Sequence, residues 1–124
     1  TQIGGLDEGF IMFSEEMDWC KRAFDAGWRL VYVGTAQITH HGGKSTDQVV
    51  AKRHIYFQQS KIRYFKKHHG RTAGAVLRWY LLALYVWQLG LEWLKGLLGY
   101  KRQLRQERVM AYREVLRSGL RTEG

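Results

Sequence analysis

Two clusters hold the residues whose types and spacing could do chemistry. The first is the acidic set Asp7, Glu8, Glu15, Glu16 and Asp18 in GGLDEGFIMFSEEMDWCKRA; the second is THHGGKST, with His40 and His41 followed by Gly42, Gly43, Lys44 and Ser45. A short acidic run that opens a helix can serve as general base, as metal ligand, or simply as a cap on the helix dipole. Histidines followed by paired glycines and a lysine can read as a plain surface turn. They can also read as an imidazole beside a loop whose backbone approaches phosphates. Taken together the clusters are complementary: a carboxylate for a proton and a loop for phosphate. Imidazole and oxygen ligands here would complete the shell of a divalent ion held mainly by a diphosphate and by residues elsewhere.

Those residues need elements to position them. Ser14 is placed to cap a helix whose first turn carries Glu15, Glu16 and Asp18 and which stops at Gly27. Its apolar stripe is Phe13, Met17, Cys20 and Phe24. At about 100° per residue, Glu16 lies at the edge of that stripe, Glu15 points nearly opposite, and Asp18 lies to one side within i,i+4 reach of Arg22. Residues 29–33 (RLVYV) predict a short strand, 34–35 a turn, and 36–39 a second extended run that ends at His40. Helices are expected over about 47–68, 73–98 and 101–118, with Gly70 breaking the first from the second. The complete lack of proline favours such long helices.

Charge divides the chain. Residues 1–47 hold seven acids and four bases, net −3; residues 48–124 hold four acids and sixteen bases, net +12. The halves are therefore expected to face different partners, and no acid occurs between Asp47 and Glu92. The run WYLLALYVWQLGL (79–91) is uncharged but covers only roughly 20 Å, short of the ~30 Å hydrocarbon core. Its tryptophans and tyrosines suit a membrane interface, and the basic amphipathic helix over 101–118 suits an anionic one. The run 79–91 also reads as a helix packed against its neighbours, and the alternative function for the basic helices is a membrane-surface or nucleic-acid-binding module without catalysis. The tryptophans of these helices, however, are gathered in 79–93 instead of interleaving with the bases as nucleic-acid stacking platforms do, and only Tyr56, Phe57, Tyr64 and Phe65 lie among the bases of 52–78. The lone Cys20 excludes an internal disulfide and fits a reducing compartment, and no signal-peptide pattern opens the chain.

The ordered pair GG-L-DE-GF-x-M-F-x-EE-x-D-W-C-x-R-A-x-x-A-G-W-R-x-x-Y-V and A-x-I-x-H-H-G-G-x-S resembles the C-terminal half of the catalytic domain of family-2 glycosyltransferases, nearest to their bacterial rhamnosyltransferase-type members. The resemblance is dense over residues 3–46. It implies an α/β fragment of a Rossmann-like GT-A fold over 1–46, mostly helical overall with one short strand pair, followed by basic and amphipathic helices over 47–124. It further implies inverting transfer from a nucleotide-diphosphate sugar to a hydroxyl of a glycan or lipid-linked acceptor. Glu16 would then be the general base and Asp18 its orienting partner, with Asp7, Glu8 and Glu15 on the acceptor side. His40 would contact Mg or Mn, and His41, Gly42, Gly43, Lys44 and Ser45 would contact the diphosphate. The family's usual Asp at position 16 is Glu here, one methylene longer. The D-x-D metal motif of the family is not among these residues, so the chain is expected to be a C-terminal piece, inactive alone, self-associating through exposed edges, and peripheral at the cytoplasmic face of the cell membrane.

Overall fold

In a computed structural model of the chain, residues 2–39, 50–97 and 102–122 are described, and the elements among them are all helices: α1 Glu15–Asp25, α2 Val50–His69, α3 Arg71–Leu97 and α4 Arg102–Ser118. The expected strand pair is absent among the described residues, which overturns the α/β reading. Residues 28–33 and 36–39 form no strand: the backbone bonds found there are local, from Trp28 N–H to the Ala23 carbonyl and from Ala36 N–H to the Val33 carbonyl, and Leu30, Val31, Tyr32, Val33 and Ile38 are all more than half exposed. A β-rich composition becomes a strand only when a neighbour takes up its backbone hydrogen bonds, and no such neighbour is found among the described residues.

The bundle is an up-down-up set of three helices. Gly70, at φ 92°, is the single residue between α2 and α3, and this left-handed conformation lets the chain reverse. Contacts then pair residues at similar distances from the turn: Gly74 against Lys66, and Gln58 Nε2 donating to Tyr85 Oη at 3.2 Å. Helix α4 returns antiparallel to α3, with Arg78 Nε donating to the Gly119 carbonyl at 2.7 Å near one end and Arg105 bonding Glu92 at 3.2 Å near the other. Ile62, Leu81, Tyr85, Val115 and Leu120 form the core, with Ile55, Leu77, Leu82, Tyr112 and Leu116 packed around it. Val115 and Leu120 are wholly excluded from solvent, each contributing about 1.5–3 kcal/mol of transfer free energy.

Helix α3 has 27 residues and is about 40 Å long, close to the 73–98 expected, and the uncharged run 79–91 is its middle part, bounded by Arg78 and Glu92. Residues Arg71–Gly96 are long and apolar enough to cross a membrane by length and composition. One face of α3, with Leu81, Tyr85 and Glu92, is buried against α2 and α4. The opposite face exposes Val76, Trp79, Tyr80, Val86, Trp87, Trp93 and Leu94, and carries no charge from Thr72 to Leu94.

Candidate functional site

Helix α1 and the loop before it are held to the bundle chiefly by charge, with Phe10 buried beside Arg63 and Lys67. None of their side chains joins the core cluster, and the buried residues of α1 are Asp18 and Ala23. Met17 and Phe24 of the expected apolar stripe are instead exposed, at 53% and 64%. The expected stripe is thus split: Met17 and Phe24 face away from the bundle, while Phe13 packs against it and Cys20 is half-buried. Its C-terminus follows the expected signal: Gly27 at φ 85° closes it, with Gly27 N–H donating to the Phe24 carbonyl and Trp28 N–H to the Ala23 carbonyl. Its N-terminus does not. Ser14 is left-handed (φ 66°) and caps nothing with its hydroxyl, and Phe13 beside it is also left-handed (φ 70°). Two such residues in a row cost of order 1–3 kcal/mol each. The Phe13 ring, set edge-on to Phe57 at 5.4 Å, is one contact that holds them there.

Asp18 is the centre of the site. Its carboxylate is fully buried and accepts hydrogen bonds from Arg22 Nε at 2.9 Å and Lys67 Nζ at 2.9 Å, and its Oδ1 lies 2.8 Å from His68 Nε2. The i,i+4 pair with Arg22 is therefore present, and two partners from α2 join it. Burial alone would raise the Asp18 pKa; the bonds from Lys67, His68 and Arg22 outweigh it and hold the carboxyl below its ordinary value. The other arm of Arg22 reaches back to the Ile3 and Gly5 carbonyls, and Trp19 Nε1 donates to the Gly4 carbonyl at 3.2 Å. The glycine-rich loop is thereby strapped across α1.

Asp7 is the second anchor. It takes Lys67 Nζ at 2.7 Å, Arg63 Nη2 at 3.1 Å and the Gly9 N–H at 2.9 Å. The Lys67 bond is the main reason its pKa falls to about 2, with Gly9 and Arg63 adding to it against the cost of burial. Lys67, shared by the two aspartates, loses proton affinity to burial, but its bonds to Asp18 and Asp7 more than restore it and raise its pKa.

The remaining acids are placed differently. Glu16 is exposed at the start of α1, and Glu8 lines a cavity of about 570 Å³ between the loop, α2 and the C-terminal residues. Glu15 is half-buried, and its Oε2 is sealed from solvent with no hydrogen-bond partner among the described residues. An orphaned buried carboxylate oxygen is uncommon. His40, His41, Gly42, Gly43, Lys44 and Ser45 lie outside the described residues, so the proposed metal and diphosphate contacts are not placed. Among the described residues, no group of three or more His, Cys, Asp or Glu side chains is arranged to hold a metal.

Sequence reasoning missed Lys67, His68 and Arg63 as partners of the acidic cluster. The sequence shows that α2 carries no acid of its own, so its cations must find carboxylates elsewhere or stay in water, but it does not show which carboxylates they meet.

No family model matches the chain, and no solved structure does. It is 35% identical over 80 residues to N-acetylglucosaminyl-diphospho-decaprenol L-rhamnosyltransferase of two Mycobacterium tuberculosis strains, CDC 1551 and H37Rv. The aligned stretch takes in 64% of this chain but only about a quarter, 26%, of those relatives. The chain is, over that stretch, glycosyltransferase-like.

Proposed function

We propose that the chain forms the acceptor-side, membrane-facing part of a glycosyltransferase that moves a sugar from a nucleotide-diphosphate donor to a hydroxyl of a lipid-linked acceptor. The observation that carries this reading is the 80-residue likeness to an enzyme named for a decaprenol-linked substrate. Glu16 is the proposed general base. As it takes the acceptor's hydroxyl proton, the oxygen bonds to the sugar's C1, the bond from C1 to the diphosphate oxygen breaks, and the anomeric centre inverts. The exposure of Glu16 at the first turn of a helix pinned by Asp18 supports that role, because a base must be both reachable and fixed.

Two surfaces support work alongside further protein and a membrane. Residues 28–38 expose apolar side chains that a covering surface would bury. The charge-free aromatic face of α3 suits the headgroup and acyl boundary. Helix α3 is packed against α2 and α4 on its other side, so an upright passage through the bilayer would drag the bases of both into hydrocarbon; lying in the interface plane avoids that cost.

The test is Glu16→Gln in the full-length polypeptide, assayed for sugar transfer with donor in excess, beside Glu15→Gln. Loss of the base is expected to slow transfer about 10²–10⁴-fold. A near-normal rate for Glu16→Gln would defeat the assignment, and a collapse confined to Glu15→Gln would move the role to the sealed carboxylate.

A further inference from the structure

The cavity beside Asp7 is walled by the 8–11 loop, one face of α2, and residues 121–122. We propose that it binds the diphosphate group of a phosphorylated ligand through Lys52, Arg63 and Arg121. At about 570 Å³ it falls within the roughly 300–1,000 Å³ of small-ligand sites. Three cations line it against the single acid Glu8. Guanidinium forks match phosphate oxygens in pairs, and three separated cations suit two linked phosphates better than one.

The walls are built rather than incidental. Gln59 Nε2 donates to the Arg121 carbonyl at 2.7 Å and Ser60 Oγ to the Met12 carbonyl at 2.6 Å, so α2 ties down both the C-terminal segment and the end of the loop. Arg63 is set in advance. A Cβ on residue 9 would fall 1.8 Å from its Nη2, so only glycine leaves room for the guanidinium against the loop backbone, and Asp7 holds it there at 3.1 Å. Lys52, Tyr56, Gln59 and Arg63 recur at helical spacing along one face of α2 and carry the cations and polar groups past the apolar wall of Ile11 and Ile55. That wall suits a ligand that continues beyond its phosphates into an apolar or ring portion. The site does not depend on the transfer reaction, and its residues are separate from the His40–Ser45 loop.

Isothermal titration of the full chain with inorganic pyrophosphate tests it. Saturable binding is expected, weakened about tenfold or more by Lys52→Ala with Arg121→Ala, and unchanged by Arg29→Ala with Arg117→Ala, which removes the same charge from exposed positions outside the cavity. Gly9→Ala, which keeps every cation but displaces Arg63, is expected to weaken binding as well, and it keeps the test decisive if the double variant loses helicity. Two competition arms identify the source of the group: uridine diphosphate in solution, and phosphatidylcholine vesicles carrying a polyprenyl diphosphate. Displacement of pyrophosphate by either supports the site and names its ligand. Equal weakening by both double variants, or heat that never saturates, would show diffuse attraction to a basic surface and overturn the proposal. Because no sugar is transferred in this assay, its failure and the failure of the Glu16 assignment are separate results.

Discussion

Replacing Asp18 by Asn keeps the shape of the side chain, removes its charge, and points an amide donor at groups that are themselves donors. Removing one partner from a buried ion pair costs about 3–5 kcal/mol when the remaining charge stays buried. Here the remaining cations are only partly buried: the Lys67 and Arg22 side chains keep 33% and 23% of their exposure, so both can turn back towards water. The discounted cost is about 2–3 kcal/mol. The structure also says where it falls. No side chain of α1 or its loop joins the core cluster, so the loss opens residues 2–25 locally and leaves α2, α3 and α4 assembled. Native-state hydrogen exchange reads this directly. Amides at the end of α1, Arg22 to Trp28, should lose about 30- to 150-fold in protection, the equivalent of that free energy, while those around Leu81 and Tyr85 stay within about twofold. Uniform loss across all four helices would mean that α1 is part of one cooperative core. No loss in α1 would mean that the Asp18 cluster is ornamental. Either result refutes the latch.

The same latch sets a pH dependence. Folding depresses the pKa of Asp7 to about 2 and lowers that of Asp18, so their stabilisation is complete above about pH 4 and drains away as pH falls towards 2; rate-corrected exchange at Gly9 and Phe10 should rise only in that acid window. Gly74→Ala would bring a Cβ to 2.9 Å from Lys66 Cβ and 3.1 Å from its Cα, where α2 and α3 cross. The overpacking of about 1–3 kcal/mol should exceed the ~1 kcal/mol gain in helix propensity and lower Tm, whereas Gly90→Ala, with nothing within 4 Å, should raise it; matching shifts at the two sites would refute the close crossing. Trp79→Ser with Trp87→Ser should cut sedimentation with anionic vesicles at least about tenfold, and unchanged sedimentation would remove α3 from the membrane contact.

The helices were legible and the strands were not, for one physical reason. Helical hydrogen bonds are local, so the acid-free run after Asp47, the break at Gly70 and the lack of proline suffice to place α2 and α3 within a few residues. A strand is a contract with a neighbour, and RLVYV meets no such neighbour among the described residues. Helix α1 shows a subtler failure. Its apolar stripe was real, but periodicity reports which residues share a face and not what that face meets. Met17 and Phe24 look outward because Asp18, on the other side, has the stronger claim on α2. The Asp18–Arg22 spacing was readable; Lys67 and His68, about fifty residues away, were not.

The uneven charge of the chain takes on a different meaning in three dimensions. An acidic first third and a basic remainder suggest two surfaces for two partners, yet the two parts meet each other: Asp7 and Asp18 together engage Arg63, Lys67 and His68 of α2. A field of bases with no acids of its own is unstable by self-repulsion, and the N-terminal loop supplies the missing carboxylates. That neutralisation is selective. It occupies the C-terminal half of α2 and stops short of Lys52, while Glu8 remains the only acid lining the cavity where Lys52 and Arg121 stand. The cations left over are thus concentrated where the walls are already braced. Because the latch fixes the helix that carries Glu15 and Glu16, opening it with Asp18→Asn should disturb the acids and the cavity together, since Arg63 depends on Asp7 and Asp7 shares Lys67 with Asp18. Pyrophosphate affinity in that variant is therefore coupled to the exchange of residues 2–25, and a full-strength cavity beside a melted α1 would separate the two sites for good.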